Sequence, residues 1–257
     1  MSEGPVQLER HGPVALIRMN RAQERNRFDM PMRAALFDAF TASNADPAVR
    51  VLVVSGGPDV FAAGADINLI ARQTPASLQR LDLDRYWRPI RECPKPLIAA
   101  VAGLAAGAGA EMALMADIIV ADPTALIAQP ECRLGVVPGA GGAQRLIRTV
   151  CKQVASLHLM TGRPLTAERA YQLGLVCELA AEGRAEALAL ELAAEIAMSA
   201  PLSPPAIKRM LALGADLPLE AAVALDHKHF RLMYATEDQK EGMGGALEGR
   251  APEFNAR

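Results

Sequence analysis

Apolar and polar positions divide this chain into two unlike parts. Val6 to Glu9 and Val14 to Met19 read as two strands joined at His11-Gly12-Pro13, a short turn. Asn20 to Asn26 is polar and loop-like, and Pro31 then opens a helix with Leu36, Phe37 and Phe40 at helical spacing. Val51 to Val54 is a short, wholly apolar strand ended by Ser55-Gly56-Gly57-Pro58. Thr74 to Glu92 reads as one helix carrying Leu78, Leu81, Tyr86, Trp87 and Ile90. From Thr166 the pattern is helix after helix, interrupted by one short strand at Leu175 to Glu178. Strands interleaved with helices, followed by helices alone, predict an α/β core with a helical C-terminal extension. A loose recurrence of strand–turn–helix units is compatible with a spiral of ββα units.

The stretch from Pro96 to Gln144 breaks these patterns and organises the rest. Leu97 to Val101 reads as a buried strand, and Gly103, Gly107 and Gly109 then interrupt it. Glu111 stands at the start of an apolar helical run, Met112 to Ala116, and Glu131 follows behind Pro130. Burying an unpaired carboxylate costs several kcal/mol unless it is bonded or protonated, so an acid between a glycine turn and an apolar helix has a task. Gly139-Ala140-Gly141-Gly142 precedes a further helix, Ala143 to Val150. A second small-residue turn, Phe61 to Ile67, leaves room for close backbone approach, and Asp66 stands where it could cap a following helix. From that segment alone a tight loop that merely packs is the preferred reading.

Composition narrows the classes. The 257 residues are 51% apolar and 22% charged, with a formal net charge of -2, so there is ample core and no basic stripe for nucleic acid. The four cysteines, Cys93, Cys132, Cys151 and Cys177, lack zinc spacing and read as reduced thiols. The start carries acids without an apolar core, and no run reaches the ~18 apolar residues of a membrane span. A cytoplasmic protein with no membrane association is the expectation.

Several chemistries fall away by pattern. A dinucleotide fingerprint would need glycine where Met112 stands, and neither a P-loop nor a GxSxG elbow occurs. His11, His158, His227 and His229 lie far from any candidate nucleophile, and His227 and His229, two apart in a helix, point to different faces. No metal site is expected. Two carboxylates and two glycine/alanine turns remain. A helix beginning near Ala108 would present free N–H groups to negative charge, the machinery for an enolate-like oxyanion with two acids to move protons.

At these residues the chain resembles the crotonase, or enoyl-CoA hydratase/isomerase, superfamily over nearly its whole length. The resemblance rests on Asn20-Arg21 and Asn26, FAAGADI at 61–67, the glycine block with Glu111, QPECRLGVVPGAGGAQRL at 129–146, ATEDQKEGM at 235–243 and Pro252-Glu253-Phe254. It implies a right-handed spiral of ββα units over 1–190, a C-terminal helical trimerisation region over 191–257, and a homotrimer or homohexamer. It also implies an acyl-CoA thioester substrate and no cofactor, coenzyme A being part of the substrate. The backbone N–H groups of Ala65 and Ala108 match the family's oxyanion hole, although glycine is more usual than Ala108. Ala63, Ala65, Asp66, Ile67 and Asn68, with Gly107 and Ala108, match the segments along the CoA moiety. Arg27 stands near the adenine end, either on a CoA phosphate or solvated. Ala246 and Gly249 replace the family's closing Phe and Lys, which puts an adenine contact there in question.

Members with glutamates at both positions are typically hydratases. The resemblance therefore implies syn-addition of water to a 2-enoyl-CoA to give a 3-hydroxyacyl-CoA. Glu111 would help deprotonate the water and Glu131 would protonate the α-carbon, the two titrating as a pair. A Δ3,Δ2-enoyl-CoA isomerase, or a dehydratase of a specialised 3-hydroxyacyl-CoA, is the nearest rival. A non-catalytic or RNA-associated member of the fold is a more distant one. Tyr86, Trp87 and Leu81 are read first as core, with walls of the acyl pocket as the alternative.

Overall fold

The computed structural model of the chain describes residues 4–256. Strands β1 (Val6–His11) and β2 (Val14–Met19) form an antiparallel hairpin and lead into α1 (Met30–Ala45), which Asp29 caps by accepting from the N–H of Met32. Strand β3 (Val51–Ser55) follows, then α2 (Ile67–Ile70), α3 (Pro75–Leu81) and α4 (Arg88–Arg91). The centre holds β4 (Leu97–Val101), β5 (Leu104–Ala106), α5 (Ala108–Ala113), β6 (Ile118–Ala121) and β7 (Leu126–Ala128). Next come α6 (Gly142–Thr149), α7 (Lys152–Thr161), β8 (Leu165–Thr166), α8 (Ala167–Gln172) and β9 (Glu178–Leu179). Four helices close the chain: α9 (Ala185–Ala197), α10 (Ser203–Gly214), α11 (Leu219–Met233) and α12 (Glu237–Glu248).

One sheet has the order β1-β2-β3-β4-β6-β9 and is parallel from β2 onward; β5, β7 and β8 form a smaller one. Isolated pairings of Val60 with Gly103, Ala62 with Ala105 and Phe28 with Ala65 extend the smaller sheet. Successive passes of the chain thus add one segment to each layer, as a spiral of ββα units requires.

β3 and β4 are buried at every position and apolar but for Ser55 at the end of β3, because both their faces are covered. Leu52, Val54, Leu97, Ala99 and Val101 turn toward one core with Phe28, Phe40, Phe61 and Met112. Val51, Val53, Ile98 and Ala100 turn the other way, onto Ala185, Ala189, Ala193 and Ala197 of α9. Those alanines recur every fourth residue, so α9 lays a stripe without bulk against the sheet.

Three expectations need correction. Thr74 to Glu92 is not one helix: Asp82 adopts φ 43°, and the segment breaks into α3, a 3-10 turn at Leu83–Trp87 and α4. The left-handed conformation, tolerated by aspartate, interrupts the α-helical ladder there. The short strand lies at Glu178–Leu179 and not at Leu175 to Glu178, because Leu175 and Val176 are buried by the turn after α8. The apolar run after Glu111 is helical only to Ala113, and Glu111 lies inside α5, which begins at Ala108.

Candidate active site

The site grows from two backbone segments that approach too closely for side chains. Ala62 N–H donates to Leu104 O at 3.0 Å, and Ala106 N–H donates back to Ala62 O at 2.9 Å. Just beyond, Gly64 has φ +100°, and a β-carbon there would stand 2.7 Å from Ala106 O and 3.4 Å from Ala108 N. Only glycine meets both demands. Phe28 N–H donates to Gly64 O at 2.7 Å and the pairing of Phe28 with Ala65 fixes the next peptide. Past this short ladder, neither the N–H of Ala65 nor that of Ala108 donates to any group among the described residues. Ala108 opens α5, so its N–H has no partner within the helix.

Asn26 anchors the first of these segments. It is fully buried, and its Nδ2 lies 3.0 Å from Gly56 O, 3.1 Å from Val60 O and 3.0 Å from Phe61 O, while its Oδ1 accepts from Arg21 N–H. The sequence places Asn26 among matching motifs but gives it no task; Asn20 and Gln23 share its loop, and the positive φ at Arg25 and Asn26 that turns its amide inward is visible only in the fold.

The two glutamates come together on the other side of the glycine turn. Glu111 is buried, and its Oε1 accepts from Ala140 N–H at 2.7 Å and from Gly142 N–H at 2.9 Å. The glycine/alanine run 139–142 therefore serves as a bracket for that carboxylate. Glu131 opens a 3-10 turn, Glu131–Leu134, and its Oε1 lies 3.1 Å from where a β-carbon on Gly107 would be. Its Oε2 is buried without a partner among the described residues. Burial, and after it the charge of Glu111, pushes the Glu131 carboxyl above the usual carboxylate range.

Gln129 was missed from sequence. It is buried, and both polar atoms of its amide lack partners among the described residues. A β-carbon on Gly142 would stand 2.2 Å from Gln129 Nε2 and 2.7 Å from Glu111 Cγ, so Gln129 and Glu111 lie side by side.

The structure thus gathers Ala65, Gly107, Ala108, Glu111 and Glu131 about one space. Ala63 is half-buried and donates its N–H to Arg25 O at 2.8 Å. Asp66 caps α2 by accepting from Asn68 N–H, while Ile67 and Asn68 are exposed along the approach. Arg27 is exposed and pairs with Glu24 at 2.9 Å. Tyr86 and Trp87 are buried, Trp87 edge-on to Phe28 with ring centroids 5.6 Å apart. Gly249 ends α12 with φ +68°, which accounts for glycine at that position. Among the described residues no group of three or more His, Cys, Asp or Glu stands close enough to hold a metal, and no helix is long and apolar enough to cross a membrane.

Known proteins resemble this chain over nearly its whole length. Residues 9–257 match the family model described as enoyl-CoA hydratase/isomerase. The chain is 38% identical over 250 residues to the 2,3-dehydroadipyl-CoA hydratase of Escherichia coli K12, covering 97% of this chain and 98% of that one. It is 35% identical to the mitochondrial enoyl-CoA hydratase of Pongo abelii, covering 95% of this chain and 84% of that protein. Among solved structures, an enoyl-CoA hydratase subunit from Geobacillus kaustophilus superposes with a TM-score of 0.95 at 37% identity, covering 100% of both chains.

Proposed function

The chain belongs to the enoyl-CoA hydratase/isomerase family, and from that premise we propose that it hydrates 2-enoyl-CoA thioesters reversibly through Glu111 and Glu131. The observation that carries the reading is the pairing of a bracketed, buried carboxylate with a second one lacking any partner on Oε2, beside two undonated N–H groups.

In this reading the thioester carbonyl accepts from the N–H groups of Ala65 and Ala108. Glu111, its Oε1 committed to Ala140 and Gly142, uses its other oxygen to take a proton from water as that water's oxygen bonds to the β-carbon. The C=C π electrons pass to the α-carbon side as an enolate held by the two N–H groups. Glu131, which burial keeps protonated to higher pH, then delivers a proton to the α-carbon. One water is consumed, and the product is the 3-hydroxyacyl thioester. Losing one such oxyanion donor typically costs roughly 10²–10³ in rate, and general acid–base transfer contributes roughly 10²–10⁴. Ala63, Asp66, Ile67, Asn68 and Gly107 would line the CoA path, with Arg27 at its outer end.

The same reading includes a homotrimer or homohexamer in the cytoplasm. The assembly is supported by the exposure of Leu211 (69%), Leu219 (79%), Phe230 (61%) and Leu247 (89%) on the terminal helices, apolar side chains that a partner protomer would cover. Light scattering reads the mass directly, and a monomeric mass refutes the assembly.

The test of the chemistry is loss of the conjugated-thioester absorbance of crotonyl-CoA. Rapid loss that disappears in Glu111→Ala and in Glu131→Ala supports the two-carboxylate hydratase. Binding without loss moves the reading to an isomerase.

A further inference from the structure

A second buried charge faces this site, and the chemistry above makes no use of it. Arg33, on the first turns of α1, is 5% exposed. Its Nε donates to Phe28 O at 3.2 Å, and its guanidinium carbon lies 5.5 Å from the Trp87 ring centroid and 5.9 Å from that of Phe28. Its Nη1 and Nη2 groups make no hydrogen bond and no ion pair among the described residues. Arginine does not shed its proton, so the charge stays. Burial destabilises it, and the strongest opposing influence is the negative charge of Glu111, followed by Tyr86 and Asp29.

None of those groups makes a hydrogen bond or an ion pair with it among the described residues, and the Tyr86 hydroxyl accepts from Arg85 instead. The Oε1 of Glu111 is held by two backbone N–H groups, and Asp29 caps α1 and pairs with Arg21 at 2.8 Å. The Arg33 fork is not among the fully enclosed unpartnered atoms, so the little of Arg33 that solvent reaches includes Nη1 and Nη2. A charge on so buried a residue is ordinarily paired and hydrogen-bonded, and this one has no protein partner on its fork among the described residues. Its position says where a partner would come from. Phe28, beneath it, pairs with Ala65, while Trp87, over it, belongs to the turn between α3 and α4. Arg33 therefore stands behind the thioester-binding peptide, on the Glu111 side, where the acyl group would run.

We propose that the Arg33 guanidinium binds an anionic group at the far end of the acyl chain, so that the substrates are acyl-CoA thioesters ending in a second carboxylate. The proposal rests on the acyl-CoA reading of the pocket. The fork geometry of a guanidinium matches a carboxylate's two oxygens, and such charge-assisted pairs are stronger than neutral hydrogen bonds. An apolar chain end would leave the cation unpaired in a drier pocket.

The test separates thioester binding from turnover. Dissociation constants of the native protein are measured by calorimetry for two length-matched pairs, glutaryl-CoA against pentanoyl-CoA and adipyl-CoA against hexanoyl-CoA. At least one carboxylated member binds about tenfold or more tightly than its partner. Arg33→Leu brings that ratio toward one, and Arg33→Lys, which keeps the charge without the fork, restores part of it. Equal or weaker binding of both carboxylated thioesters by the native protein overturns the proposal without recourse to any variant. So does an Arg33→Leu protein that loses affinity for both members of a pair in proportion, the mark of a merely structural arginine. Hydration of hex-2-enoyl-CoA, followed separately, tests the hydratase reading, whose failure leaves the binding ratio to be judged alone.

Discussion

The backbone N–H of Gly142 donates to Oε1 of Glu111 at 2.9 Å, in a contact where no β-carbon fits. An added methyl would stand 2.7 Å from Glu111 Cγ and 2.2 Å from Gln129 Nε2. Glycine at 142 is therefore a condition of the carboxylate's orientation. Gly142→Ala should lower kcat by roughly 10²-fold, since small misplacements of a catalytic group carry losses of that size. Steady-state assays on crotonyl-CoA check this; a variant with native kcat would show that the bracket does not set the position of Glu111.

Asn26 offers a test of the opposite kind, far from the reacting atoms. Its amide serves three buried carbonyls, those of Gly56, Val60 and Phe61. Asn26→Ala leaves them without that donor and should cost roughly 2–4 kcal/mol of stability, at the upper end of single substitutions. Urea unfolding measures the loss. Because the same loop leads to Ala65, activity should fall further than the unfolded fraction accounts for. A stable, fully active variant would mean the loop holds its shape without Asn26.

How much of this was legible in the residues depends on what sets each element. β2 and β4 were bounded at Val14 to Met19 and Leu97 to Val101 by local pattern alone, since apolar runs between turns, broken in β2 only by Arg18, leave few alternatives. Glu111 and Glu131 stood out because acids in apolar or glycine-rich surroundings are conspicuous. The break at Asp82 was hidden, because its φ of 43° answers to tertiary packing and no glycine or proline marks it. Gln129 and Arg33 were passed over because glutamine and arginine are ordinarily surface residues. Only burial and the lack of partners, both properties of the folded chain, single them out.

The alanine stripe of α9 makes a prediction about the scaffold. Ala189 is fully buried between the helix and the large sheet. Ala189→Leu inserts a branched side chain into a gap sized for a methyl, and overpacking of this sort costs about 1–3 kcal/mol. Thermal unfolding should show the lower midpoint. The site lies against the other core, so kcat per folded molecule should stay near native. A drop in kcat without a drop in stability would contradict this separation of the two cores.

Glu131 ties chemistry to pH. Its carboxyl is held above the usual range by burial first and by the Glu111 charge second. Folding therefore favours its protonated form, and the stability this adds is full below the unfolded-state pKa and is lost as pH rises through the raised folded value. Relative to Glu131→Gln, whose amide stays neutral, the native protein should lose stability over that window and hold a constant difference above it. Unfolding midpoints of the two proteins from pH 4 to pH 9 read the effect, each unit of raised pKa being worth about 1.4 kcal/mol. Activity should follow the same group: hydration by the native protein should decline on the alkaline side as Glu131 loses the proton it delivers, and the residual activity of Glu131→Gln should lack that limb. A stability difference independent of pH would mean that Glu131 titrates alike in the folded and unfolded chain, and its assignment as the proton donor would lose its physical basis.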